Sequence, residues 1–205
     1  MEILYSDKNI AVCVKPVGAD SEQDMPRMLS EALGGQWHVL HRLDQNVGGI
    51  MLYARTKEAA AQLSRAIQEG SLVKEYVAMV HGTPPESGEL TDLLWKDSRK
   101  NKVFVVTRRR AGVKEAKLSY RVLSPGSESL VRIRLYTGRS HQIRVQFSSR
   151  GYPLVGDHKY GSRDPRREPM LFSCAIAFPW AGKQLHFERL PQWAEKDSQD
   201  IDRNI

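Results

Sequence analysis

The sequence predicts an α+β fold, or a mixed α/β sheet, on two observations. Strand-length apolar runs bounded by Gly, Pro, Asn and Asp recur along most of the chain, and only a few stretches carry helical spacing. Neither an internal repeat nor a low-complexity linker interrupts them. The 205 residues suit one domain or two small ones, and 40% hydrophobic content is enough for a true core.

Taken in order, residues 3–5 and 10–14 read as short strands around the polar turn Ser6-Asp7-Lys8-Asn9. Lys15-Pro16-Val17-Gly18 stops the second strand, because proline cannot donate to a ladder. Lys15 there is either a solvated strand end or a cation placed near a site. A helical patch at 28–33 ends at Gly34-Gly35. Residues 50–54 form a short apolar run of buried-strand length. Thr56 caps a helix over 57–69, with Ala59, Leu63, Ala66 and Ile67 on one face. A strand over 72–80 places Lys74 and Tyr76 on one face and Val73, Glu75 and Val77 on the other.

Residues 86–117 are rich in Lys and Arg around Val103-Phe104-Val105-Val106, which fits a hairpin with a cationic tip. Residues 116–123 and 130–136 read as paired strands across Ser124-Pro125-Gly126-Ser127. Arg132 and Arg134 lie on one face of the second, with Val131, Ile133 and Leu135 on the other. The run from Ser140 to Gly151 reads as a helix, with Ser140 as cap and Gly151 as stop. A glycine-punctuated loop over 151–161, an exposed basic segment over 162–169 and a last strand pair at 171–178 and 184–187 follow. Beyond Trp193 the tail is polar and expected to be frayed over 194–205.

Composition bounds the function. A net charge of +7 and a pI near 9.5 admit a polyanionic partner. Cys13 and Cys174 sit in apolar surroundings and read as small buried hydrophobes. The N-terminus lacks the pattern of a secretion signal, and no apolar run approaches membrane-spanning length, so a cytoplasmic protein is the expectation. Walker, dinucleotide and Gly-x-Ser-x-Gly patterns are missing, as is any Cys/His cluster at zinc spacing.

The densest chemistry lies in His41-Arg42-Leu43-Asp44-Gln45-Asn46-Val47-Gly48-Gly49 and the apolar run after it. Arg42 and Asp44 could be a surface ion pair beside a turn. Alternatively, Asp44 could be an ionised, oriented carboxylate able to attack a sugar carbon or take a proton. A glycosidase would want a second carboxyl, for which Asp157 is the candidate. A reaction needing one carboxylate fits the sequence better.

His41-Arg42-Leu43-Asp44 with Gly48-Gly49 resembles the signature of the RluA-type RNA pseudouridine synthases. In the same order, Lys15-Pro16-Val17-Gly18, Lys74-Glu75-Tyr76-Val77-Ala78, Gly138-Arg139-Ser140-His141-Gln142-Ile143-Arg144 and Leu154-Val155-Gly156-Asp157 with Tyr160-Gly161 resemble further family motifs. The resemblance covers roughly residues 3–190. It implies the pseudouridine synthase fold, a central, mainly antiparallel mixed sheet with flanking helices and a catalytic cleft, as one catalytic domain over 1–205. No separate N-terminal RNA-binding module is expected, because the resemblance begins at about residue 3.

The resemblance implies isomerisation of uridine in tRNA or rRNA, without cofactor or metal, by a monomer that needs no obligatory protein partner. Asp44 would be the catalytic aspartate, Tyr76 would stack on the base and assist proton removal, and Arg139 would pair with Asp44. Arg42 would fill the gap left by the flipped uridine; His41, Ile143 and Lys15 would join it in binding substrate. Two departures, Val47-Gly48 where relatives carry Thr-Ser and Ser173-Cys174 where they often carry His, bear on substrate preference. The competing readings are a non-catalytic RNA-binding protein on the same scaffold and an Asp-dependent glycosidase or nucleoside enzyme.

Overall fold

The computed structural model describes residues 1–198. In chain order the elements are β1 (Glu2–Ser6), β2 (Ile10–Lys15), α1 (Asp24–Leu33), β3 (His38–Val39), β4 (Gly48–Ala54), α2 (Lys57–Gln68), β5 (Val73–His81) and β6 (Ser87–Asp97). β7 (Lys102–Val106), β8 (Val113–Ser124), β9 (Glu128–Leu135), α3 (Gln142–Ser148), β10 (Leu171–Trp180), β11 (Lys183–Glu188) and α4 (Gln192–Ser198) complete the chain. Two compact units emerge among the described residues: residues 1–74 with 172–189, and residues 75–171 with 190–198.

The first unit is a mixed sheet. β2 pairs antiparallel with β1 and β4, β10 pairs antiparallel with β11, and β4 and β10 run parallel. The β1–β2 turn is closed by Asp7, whose Oδ1 accepts from Asn9 N (2.7 Å) and Ile10 N (2.8 Å), the local bonding that makes Asp a turn former. Every residue of β4 is buried, as its apolar run requires. α2 closes one side of this core with Ala59, Leu63 and Ala66 against Ile50, Leu52, Ile176 and Phe178. Each large aliphatic buried this way contributes about 1.5–3 kcal/mol. Thr56 Oγ1 accepts from Ala59 N (3.1 Å), the predicted cap. α1 begins at Asp24, earlier than its apolar spacing indicates, with Pro26 in the first turn where its missing N–H costs nothing.

The second unit carries its strands in the order β5-β9-β8-β6-β7. The predicted cationic hairpin is real but larger: β6 is an 11-residue strand whose buried residues Leu90 and Leu94 recur at a spacing that hides the alternation. Leu94, Val103 and Ala116 pack with Val145 of α3 and with Tyr160, which lies on a short 3-10 turn, His158–Tyr160. α3 is helical as predicted, but Ser140 is not its cap. The cap position is His141, in the left-handed region at φ 50° with no side-chain cap bond, so the helix starts one residue later. The expected frayed tail is also corrected in part. α4 is helical over Gln192–Ser198 with Ala194 fully buried, while residues 199–205 lie outside the described residues. Cys13 and Cys174 are buried free thiols.

Candidate active site

In the first unit, the segment before β4 is fastened to the chain following β2. Asp44 O accepts from Val47 N (2.9 Å), which makes Asp44 the first residue of a tight turn, a position Asp favours. On its N-terminal side, Leu43 N donates to Ser21 Oγ (3.1 Å) and Ser21 Oγ donates to Leu43 O (2.9 Å). On its C-terminal side, Gln45 O accepts from Gly18 N (2.8 Å), and Gln45 Nε2 donates back to Gly18 O (3.0 Å). The Asp44 side chain is half-buried at the mouth of the fully buried β4. Both neighbours are therefore immobilised while the carboxylate keeps access to solvent.

Lys15 is not a solvated strand end but a cation beside the Asp44 segment, the second of the two sequence expectations. It is fully buried, and its ammonium donates to Pro16 O (3.0 Å), Ala19 O (2.8 Å) and Gln45 O (3.1 Å). An ammonium has three protons to give, and all are spent on backbone. The expected substrate contact is corrected to an internal fastener of the Asp44 segment. Burial pushes its pKa down to about 8, against the opposing pull of Asp20, Asp44 and Asp24.

His41 is likewise internal: its Nε2 accepts from Leu52 N (3.2 Å), and Nδ1 is buried without a hydrogen-bond partner among the described residues. Burial, reinforced by Lys74, pushes its pKa down to about 3, so the ring is neutral at physiological pH. Arg42 is exposed and pairs with Glu22 at 2.7 Å, both ends in solvent. Such a pair is worth about 0–1 kcal/mol and exchanges partners cheaply.

The two glycines after the turn serve packing. Gly49 sits at φ 127°, and a Cβ there would lie 2.4 Å from Ser173 N and O across the parallel β4–β10 pair. Ser173 is held in turn by donating to Ile50 O (3.0 Å).

In the second unit, Tyr76 is buried in the middle of β5. The turn into α3 is organised by Gln142, which sequence reasoning passed over. Its Oε1 accepts from Thr137 Oγ1 (2.8 Å) and Arg139 N (3.0 Å), and its Nε2 donates to Lys117 O (3.1 Å). Arg139 is exposed, with Nε donating to Glu115 O (2.9 Å). Ile143 is buried.

Arg144, five residues after Arg139, is also buried. Its Nε and Nη2 meet Asp157 Oδ2 (2.7 Å) and Oδ1 (2.8 Å), a bidentate pair with 5% and 1% of the two side chains exposed. The guanidinium lies 5.1 Å from the Tyr160 ring centroid. Tyr160 Oη accepts from Val103 N (2.8 Å) and shares a 2.8 Å bond with His141 Nδ1. Both oxygens of Asp157 are thus committed, which removes it as the second carboxyl of a glycosidase. Arg144 and Asp157 stood inside the quoted motifs; two opposite charges in two such runs were the available signal. Gly156, just before Asp157, is at φ 79° with room for no side chain: a Cβ would lie 2.1 Å from Glu168 O. Among the described residues, no group of His, Cys, Asp and Glu is arranged to hold a metal ion.

Residues 3–149 match the model of the RNA pseudouridylate synthase family. The chain belongs to that family. It is 34% identical over 180 residues to the dual-specificity RNA pseudouridine synthase RluA of Escherichia coli, covering 80% of this chain and 78% of that protein. It is 30% identical over 223 residues to the ribosomal large subunit pseudouridine synthase D of Zymomonas mobilis, covering 94% of this chain and 70% of that protein. Against the synthase D of Pseudomonas aeruginosa it is 34% identical over 180 residues and spans 54% of the relative's length.

Among solved structures, human RNA pseudouridylate synthase domain containing 4 superposes with a TM-score of 0.79 at 25% identity, covering 98% of this chain and 93% of that one. Human RNA pseudouridylate synthase domain containing 1 gives a TM-score of 0.82 at 22% identity, covering 93% and 83%. The α+β, mostly antiparallel mixed sheet is therefore the pseudouridine synthase fold. As a member of this RluA-type family, the chain is an RNA pseudouridine synthase, an isomerase. No helix among the described residues is long and apolar enough to cross a membrane.

Proposed function

We propose that this synthase isomerises uridines of structured tRNA or rRNA, with Asp44 as the group that acts on the sugar. The observation carrying the proposal is the Asp44 turn. A half-buried carboxylate is presented at the mouth of a buried strand, with both flanking residues bonded in place through Ser21 and Gly18. In the reaction the N1–C1′ bond breaks, the uracil turns, C5 bonds to C1′, the proton on C5 leaves and N1 takes one up. Atoms balance within the substrate and solvent, so no redox partner or nucleotide is consumed. Asp44 either adds to C1′ or removes the 2′ proton.

A stacked uridine hides its glycosidic bond and has to be flipped out, at a cost of a few kcal/mol. Stacking on an aromatic ring returns about 1–3 kcal/mol, the task assigned to Tyr76. Arg42 fills the vacated place, and its weak surface pair with Glu22 makes that exchange inexpensive. Arg139, exposed at the start of the α3 turn, supplies positive charge, and the basic segments 96–117 and 163–167 take phosphates. Two relatives named for the ribosomal large subunit support an rRNA target.

The test is pseudouridine mapping of total RNA from cells with the protein, without it, and with Asp44→Asn in its place. The proposal requires sites that vanish in the deletion strain and are not restored by the variant. A non-catalytic RNA-binding protein would leave the map unchanged in all three.

A further inference from the structure

One face of the second unit's sheet carries three aromatic rings, two exposed and one half-buried. Trp95 of β6 and Phe104 of β7 are cross-strand partners, with ring centroids 6.3 Å apart. Leu94 and Val103, one residue away on each strand, are buried under α3, so Trp95 and Phe104 lie on the opposite, outward face. Tyr136, just past β9, belongs to the same face: Tyr136 N donates to Lys117 O (3.1 Å), and its Oη shares a 3.2 Å bond with Ser119 Oγ. Phe104 and Tyr136 are two of the four large hydrophobic side chains exposed among the described residues, at 36% and 48%. Tyr76 is on the other face, because Glu75, its neighbour, is reached by Arg132 at 2.7 Å from the outward side.

Each ring has a cation over it. Arg110 lies 4.7 Å from the Trp95 centroid, Lys102 5.9 Å from Phe104, and Lys117 and Arg134 5.3 and 5.6 Å from Tyr136. The acids on this face are already engaged: Glu115 by Arg109 (2.8 Å) and Glu89 by Lys117 (3.0 Å), while Asp97 accepts from Arg99 N and Lys100 N in the β6–β7 turn. Strand spacing separates the Trp95–Phe104 ledge from Tyr136 by roughly 16 Å, a span of a few nucleotides.

We propose that this outward face of β6, β7 and β8 with Tyr136 is a second RNA-docking surface, which stacks unpaired bases and places phosphates on the adjacent cations. The proposal rests on the RNA-directed reading above and adds a face of the second unit on which the polymer is held. Exposed rings serve every base alike, and flanking Lys and Arg neutralise the phosphates; together they select single-stranded RNA without reading its sequence. An apolar protein partner would gain nothing from a cation on each ring.

The experiment measures affinity of the full chain for a short single-stranded oligouridylate and for an RNA duplex of equal length. Phe104→Ala combined with Tyr136→Ala removes two exposed rings and keeps every cation. The expected result is about a ten-fold or greater loss of affinity for the single strand with an unchanged salt slope and little change for the duplex. Ultraviolet crosslinking of the oligouridylate to the wild-type chain should label peptides containing Trp95, Phe104 or Tyr136. Wild-type affinity in the double variant, or crosslinks confined to other peptides, overturns the proposal. Asp44→Asn assayed alongside separates the two readings: product formed by that variant sinks the catalytic assignment and leaves the docking result standing.

Discussion

Asp44 and Arg144 are two charged groups held in place by opposite means. Around Asp44 the fastening is done through the backbone, by Ser21, Gln45 and the buried ammonium of Lys15, and the carboxylate itself stays half-buried. Around Arg144 the side chain itself is the fastened object, buried and gripped at two points by Asp157. The first arrangement fixes the chain on both sides of a carboxylate that is only partly buried; the second turns the charged group itself into part of the scaffold of α3. Arg139, in the same motif but exposed and bonded through Nε to one carbonyl, falls between them.

The largest effect separates the two arginines. Arg144→Ala leaves Asp157 buried without its partner and should cost about 3–5 kcal/mol of stability. Arg139→Ala should stay within about 0.5 kcal/mol, as surface changes do. Urea unfolding of both variants checks this; equal losses would erase the contrast.

Next is the response to acid. The folded chain holds His41 neutral down to about pH 3, whereas the unfolded chain protonates it near 6.5, so the unfolded state binds more protons between these values. This stabilising share is complete above pH 6.5 and is lost as pH falls towards 3. At pH 4.5 the loss attributable to His41 should be roughly 2–3 kcal/mol relative to pH 7.5. His41→Gln should flatten that part of the stability profile, and an identical profile in the variant would count against the buried neutral ring.

Smaller still is Ser21→Ala, which removes the reciprocal bonds to Leu43 and should cost about 1–2 kcal/mol of stability. Its effect on single-turnover pseudouridine formation should exceed what that instability explains at a temperature where the variant is fully folded. A rate equal to wild type would show that the turn needs no such fastening. Thr56→Ala, at the cap of α2, should cost about 1 kcal/mol with no change in that rate.

Much of this is legible in the sequence. The short apolar run after Gly48-Gly49 had the length of a buried strand, and Thr56 followed by apolar residues at helical spacing fitted a capped helix; both are found. Lys15 was not legible, because what solvates it are carbonyls of residues 16, 19 and 45, brought together only by the fold. β6 hid behind its charges, since its apolar residues on the buried side recur too sparsely to betray alternation. The Asp44 motif pointed to the right family, but no spacing rule distinguishes an exposed arginine from a buried one in the same short run. That distinction needed α3 and the loop carrying Asp157.

The measurement bearing most directly on the whole account is pseudouridine yield and RNA affinity determined on one preparation of Asp44→Asn. The substitution keeps the turn and its size while removing the charge. The account predicts no detectable product with RNA affinity within about two-fold of wild type, since the phosphate-binding cations are untouched. Product at a rate approaching wild type would show that a different group carries the reaction.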